Sequence, residues 1–244
     1  MQVSHIWNKF NLFSPKVILA FALFALFAGQ AHAQKYKWAR TNNPNYDNRK
    51  ISYGFLIGLH TSTFNVKYSD QFITQDFDTV YAVRPVWSSG FSLGFIVNYR
   101  AAEYLDIRLT PKVSFYEFKV DYEYTNMPTD NVLIESTMVE FPVLAKYKSA
   151  RRGNVRMYMI GGLSPGIEAS GKKDFETREL ESRTFNLSIE GGFGFDLYYP
   201  LFKFSPEIRF SRGLINVLGN PDNPYGQPLK SVNTNTISVY FLFQ

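Results

Sequence analysis

His60 is the one imidazole with chemistry to offer, because His5 and His32 both fall in a segment expected to be removed. Ser62 lies two residues on, so on a strand the two side chains share a face. A base beside a hydroxyl is the start of a nucleophilic pair, which needs hydrogen-bond contact and a third group to orient the ring. No third member is evident, and a lumenal histidine held by its neighbours is the plainer reading. The run Asn220-Pro221-Asp222-Asn223-Pro224 could mimic a calcium loop, although Asn-Pro repeats also make ordinary turns. With no Cys and a single remaining His, thiolate sites and multi-His zinc sites are excluded. No catalytic, cofactor or metal residues are assigned.

The other chemistry-bearing set is ionic: Arg108, Lys112, Glu140, Lys146, Glu190, Asp196, Glu207 and Arg209. Each sits on the polar side of a segment that alternates with period two, the pattern of a strand with one greasy face. Such charges can form a proton or ion path, or a paired network that locks a core. The second reading fits their mixed signs, because unpaired buried charge is strongly disfavoured.

The elements that must position them are strands. Eight segments alternate: Tyr53–Ser62, Phe91–Arg100, Leu105–Phe115, Val139–Lys148, a weaker Gly-rich one from Val155 to Ile167, Phe185–Leu197, Phe202–Ser211 and Thr236–Phe243. Long polar links (69–87, 123–132, 170–183, 212–233) alternate with tight ones at Ala101-Ala102-Glu103, 150–154 and Pro200-Leu201. Long connections at one end and short ones at the other describe an all-β, up-and-down antiparallel transmembrane barrel of about eight strands. Alternation then sends apolar side chains to lipid and polar ones to a lumen that side chains just fill. Pro111, Pro142 and Pro206 fall inside strand patterns, where each removes a ladder donor; bulges that bend the wall, or mark a docking seam, are the expected accommodation.

The N-terminus agrees with that compartment. Lys9 and Lys16, the apolar run Val17–Ala28 and Ala31-His32-Ala33 are laid out as a secretory signal peptide over residues 1–33. The apolar run is about 12 residues, short of the roughly 20 needed by a spanning helix. Residues 34–50 are polar and read as a poorly ordered periplasmic lead-in, with the barrel over 51–244. Removing the leader lowers the formal charge from +5 to +3, since it carries two lysines and no acids. The remaining basic residues are interleaved with acids, which is no nucleic-acid footprint. One local cluster, Arg151, Arg152 and Arg156 about a tight turn, is a candidate periplasmic contact, or a solvated turn near lipid headgroups.

The segments NPNYDNRKISYGFLIGLH (43–60), GFSLGFIVNYR (90–100), STMVEFPVLAKYKSARRGN (136–154) and GFGFDLYYPLFKFSPEIRFSRGLINVL (192–218) resemble the PorT family, called SprT in gliding bacteria. The resemblance covers nearly the whole chain after the leader. It implies an integral outer-membrane component required for type IX protein secretion and, in some bacteria, gliding motility. It carries over no catalytic residues and no cofactor. The implied partners are the outer-membrane bilayer and other type IX components, in an accessory or assembly role, because an eight-stranded lumen is too narrow for a folded protein. A structural or adhesive barrel, with the function in its surface loops, is the first alternative, and a lipid-modifying barrel enzyme built on His60 and Ser62 the second.

Overall fold

The computed structural model describes residues 41–73, 80–125, 128–169, 183–219 and 225–244. The expected leader lies outside them, as do residues 34–40, 74–79, 126–127, 170–182 and the calcium-like run 220–224. The described residues form β1 (Ile51–Tyr68), β2 (Val80–Val86), β3 (Ser88–Arg100), β4 (Leu105–Leu109), β5 (Lys112–Tyr124), β6 (Asp130–Glu140), β7 (Val143–Lys148), β8 (Val155–Glu168), β9 (Phe185–Tyr198), β10 (Lys203–Gly213) and β11 (Leu229–Phe243). All pair antiparallel in one sheet. β2 runs on into β3, β4 into β5 and β6 into β7, so the eleven strands make eight staves.

The ring closes because β1 pairs with both β3 and β11, and β8 with β9. In lipid this matters, since an open edge would leave a row of backbone groups unpaired. Following partners once around gives the stagger. Ile51 lies opposite Tyr99, then Ile107, Ala145, Gly161, Gly191, Phe210 and Ile237, which faces Thr61. The path returns ten residues from its start, from 51 to 61. Ten residues at about 3.3 Å against eight strand spacings at about 4.8 Å tilt the strands by about 40°.

The outward rows are uninterrupted by charge. Ile51, Tyr53, Phe55, Ile57 and Leu59 face out from β1, and Phe91, Leu93, Phe95, Val97 and Tyr99 from β3. On the third stave the row is Leu105, Ile107, Leu109, Pro111, Val113 and Phe115. Eleven residues from 105 to 115 tilted by about 40° give an apolar band about 25 Å tall, the hydrocarbon thickness that outer-membrane barrels match. Tyr53, Tyr99, Tyr104, Tyr147 and Tyr199 ring its short-turn end, all substantially exposed. Amphipathic rings suit that depth.

Two expectations need correction. The long links are shorter than the sequence suggests, because residues 80–86, 123–124, 130–132 and 229–233 belong to strands. Beyond the band the alternation continues with its polarity reversed. In β5 the outward side chains become Glu117, Lys119, Asp121 and Glu123, while Phe118, Val120 and Tyr122 turn inward and are buried. With Phe64, Val83, Val217, Leu218, Leu229 and Val232 they form an apolar core above the membrane. There water wets the outer wall, so the greasy face belongs inside. Register within this tier slips at Lys67/Tyr68 and Val80/Ala82, and by one residue about Trp87, where Val86 faces Lys119 but Phe91 faces Phe115.

The prolines do not make bulges. Pairing runs on in constant register past Pro111, from Gly94 opposite Lys112 to Val97 opposite Leu109. It does so past Pro142, from Glu140 opposite Lys112 to Val143 opposite Leu109, and past Pro206, from Phe204 opposite Phe243 to Arg212 opposite Asn235. The carbonyls of Pro111 and Pro142 still accept: Phe95 N–H donates to Pro111 (2.9 Å) and Thr110 N–H to Pro142 (3.1 Å). Only the return bond is lost, which a closed ring tolerates without shifting a residue. Glycines ease the wall where strands cross closely. A Cβ on Gly162 would run into the Val143 carbonyl and one on Gly192 into that of Ile208, so each must stay bare.

Candidate functional site

Even-numbered positions of β1 to β9 in the membrane tier, and odd ones of β10, point into the lumen. All eight charges singled out above are buried there. Six form a continuous chain of alternating sign. Lys112 Nζ lies 2.8 Å from Glu140 Oε2 and 3.7 Å from Glu190 Oε1. Arg209 Nη1 meets Glu190 Oε2 at 3.2 Å, and its Nε donates to Glu207 Oε1. Arg108 Nη1 closes the chain on Glu207 Oε2 at 2.7 Å. Lys146 and Asp196 form a second group at 2.6 Å, joined by Lys203 at 3.9 Å and by a hydrogen bond from Ser205 (2.6 Å).

Neutral groups take up much of the remaining capacity. Tyr158 O–H donates to Glu207 (2.6 Å), Tyr116 O–H and Ser114 to Glu140 (3.0 and 2.9 Å), and Arg108 Nε to Asn98 Oδ1 (2.7 Å). Two rings serve as platforms: Lys146 sits 3.8 Å over Tyr158, and Arg209 4.5 Å over Tyr240. Charges desolvated this far survive only with partners on nearly every side. Strand parity also identifies Asp106, Lys148 and Lys203, which the ionic set above omits; Lys148 bonds Asp106 at 2.6 Å.

His60 and Ser62 both face the lumen, but they do not form a base–nucleophile pair. Ser62 Oγ shares a hydrogen bond with Thr236 Oγ1 (3.0 Å), and the imidazole packs on Tyr116 with centroids 4.5 Å apart. His60 Nε2 has no hydrogen-bond partner among the described residues. Among those residues no group of three potential metal ligands gathers.

The short-turn mouth differs most from the sequence reading. Residues 42–50, expected to be poorly ordered, lie across it as a strap with a 3-10 turn at Tyr46–Asn48. Asp47 anchors the strap. Its carboxylate accepts from Arg151 Nη1 (3.4 Å), Arg156 Nη1 (3.1 Å) and Tyr198 O–H (2.8 Å). Asn42 donates to Asn154 Oδ1 and to the Tyr198 carbonyl, and Arg151 donates back to the Asn42 carbonyl. Two of the three arginines of the expected outward contact are therefore engaged within the chain, and Arg152 alone stays exposed. Composition hid this because the strap has no periodicity; it is ordered by partners more than a hundred residues away. Replacing Asp47 by alanine is expected to free the strap at a cost to the barrel of about 1 kcal/mol, as for a partly exposed pair. Trypsin should then cut faster at Arg49 and Lys50. An unchanged cleavage rate would mean that other contacts hold it.

A family model described as outer membrane protein beta-barrel domain matches residues 32–219. No curated protein matches the sequence. Among solved structures, Neisserial surface protein A is 13% identical, with a TM-score of 0.42, covering 80% of this chain and 98% of that one. OprG from Pseudomonas aeruginosa is 14% identical at a TM-score of 0.43, covering 79% and 93%. The attachment invasion locus protein Ail of Yersinia pestis is 14% identical at 0.32, covering 78% and 96%. With the family model matching most of its length, the chain belongs to the outer membrane protein beta-barrel domain family.

Proposed function

We propose that this barrel is an accessory or assembly component of type IX protein secretion, anchored in the outer membrane with its short turns and N-terminal strap in the periplasm. The observation that carries the accessory role is the filled interior. An ionic chain occupies the membrane tier and an apolar core the tier above, while the strap lies over the opposite mouth. Eight staves leave no room for a folded cargo beside these side chains. The secretion pathway itself rests on the resemblance of residues 43–60, 90–100, 136–154 and 192–218 to the PorT family. In this reading residues 1–33 are the cleaved signal peptide, and Arg152, with Arg151 and Arg156 behind it, is the periplasmic contact.

A deletion strain tests the pathway. Proteins bearing the type IX sorting domain should accumulate in its periplasm, and normal surface delivery would end the secretion assignment. Complementation with Arg152→Glu should insert as well as the parent, shown by the heat-dependent gel shift, yet restore export poorly. Full export with that variant would remove the contact.

A second reading has one observation in its favour. The upper tier raises a charged wall of Glu117, Lys119, Asp121 and Glu123 on a packed core, a stiff platform suited to carrying surface loops. It describes a structural or adhesive barrel. Loss of cell contact with intact export, after exchange of the loops above this tier, would select it.

A further inference from the structure

Between the strap and the short turns lies a cavity of about 200 Å³, lined by Arg100, Lys148, Arg151 and Arg156 against Asp47 and Glu103, with Tyr104 at its edge. The four cations face three carboxylates, Asp47, Glu103 and the Asp106 that pairs with Lys148, which leaves one positive charge over. Lys148 is neutralised by Asp106, while the single carboxylate of Asp47 serves both Arg151 and Arg156. Among the described residues Arg100 has one side-chain hydrogen bond, to the main-chain carbonyl of Asp47. Arg156 is nine-tenths buried, and its Nε has no hydrogen-bond partner among the described residues. A buried guanidinium N–H without an acceptor is costly, and an oxyanion is the acceptor that such a group fits best.

We infer that this cavity is a binding site for a phosphate-type oxyanion. Arg100, Arg151 and Arg156 all line it; Arg151 is held by the strap and its own turn, so Arg100 and Arg156 carry the offer, and a guanidinium's planar fork matches a tetrahedral oxyanion two bonds at a time. Its depth suggests the source. Tyr104 lines it and belongs to the tyrosine ring that includes Tyr99 and Tyr147, the level of lipid headgroups. A phospholipid headgroup would enter from the side of that ring, a free phosphate from the water. The site does not depend on the secretion assignment, and it adds a ligand to a mouth otherwise described only by its own contacts.

The test is a titration of the ¹⁵N-labelled protein in a maltoside detergent, following arginine Nε–H resonances. One arm adds inorganic phosphate, the other dihexanoyl phosphatidylglycerol, and Lys230→Gln at the far end serves as control. Saturable shifts of Arg100 and Arg156 are expected, with affinity falling about tenfold or more in Arg100→Gln, as for the loss of one charge-assisted bond. Saturation by the lipid at far lower concentration than by phosphate assigns the headgroup; equal saturation assigns the free ion, and both support the site. Absence of saturable shifts in either arm, or equal affinity in Arg100→Gln and Lys230→Gln, overturns it. If Arg100→Gln does not insert, Arg156→Lys keeps the charge beside Asp47 while removing the fork, and the same loss of affinity is required.

Discussion

Glu207→Ala should be the most damaging single substitution in the lumen, lowering stability by about 3–5 kcal/mol. Glu207 is fully buried and holds two guanidinium groups at once, Arg108 Nη1 at 2.7 Å and Arg209 Nε, besides accepting from Tyr158. Its removal leaves Arg108 with Asn98 as its remaining hydrogen-bond acceptor among the described residues and breaks the link to Arg209, which keeps Glu190. The cost is that of a cation stranded out of water, which exceeds the loss of any one hydrogen bond. Glu207→Gln keeps the volume and an acceptor oxygen, so its cost should be smaller, though both guanidinium groups lose their counter-charge. Urea unfolding in phospholipid vesicles, read by tryptophan emission and by the heat-dependent gel shift, gives both values. A cost below about 1 kcal/mol for the alanine variant would mean that water reaches these ions, and the picture of a locked lumen would fail.

The membrane tier of this network could be read from the chain alone because lipid outside and ions inside impose opposite chemistries on alternate residues. Once Leu105, Ile107, Leu109, Val113 and Phe115 are taken as outward, Arg108 and Lys112 have nowhere to go but inward. The same logic broke down above the band. From Glu117 onward the outer wall meets water, so the apolar side chains Phe118, Val120 and Tyr122 change faces and the segment looks like a polar loop. A one-residue slip about Trp87 hides the continuity of β2 with β3 in a similar way. Asp47 was illegible for a different reason. Its partners Arg151, Arg156 and Tyr198 stand on β8, β9 and the turn before β8, and no local pattern connects them to the strap. Periodicity reports which medium a face meets; it says nothing about which distant side chains share a mouth.

The outward face makes the complementary prediction, and it tests the membrane placement directly. Phe95 is the middle residue of its outward row, is 70% exposed on the barrel wall and lies opposite Phe55 on β1. Arginine there must put its guanidinium in hydrocarbon near the midplane, at a cost of about 2–4 kcal/mol. Tyr99→Arg, at the short-turn edge of the same row, should cost about 0–1 kcal/mol, because the side chain reaches the headgroups. Glu117→Arg, on the wetted wall above the band, should change stability within about 0.5 kcal/mol. Phe95→Leu separates the loss of the ring from the gain of charge and should sit well below the arginine variant. The ordering matters more than any single value, since only a hydrocarbon slab penalises the middle of the barrel wall over the levels on either side of it. Equal costs for Phe95→Arg and Tyr99→Arg in vesicles would place this wall in water, and the apolar rows would then need a protein partner rather than a bilayer to cover them.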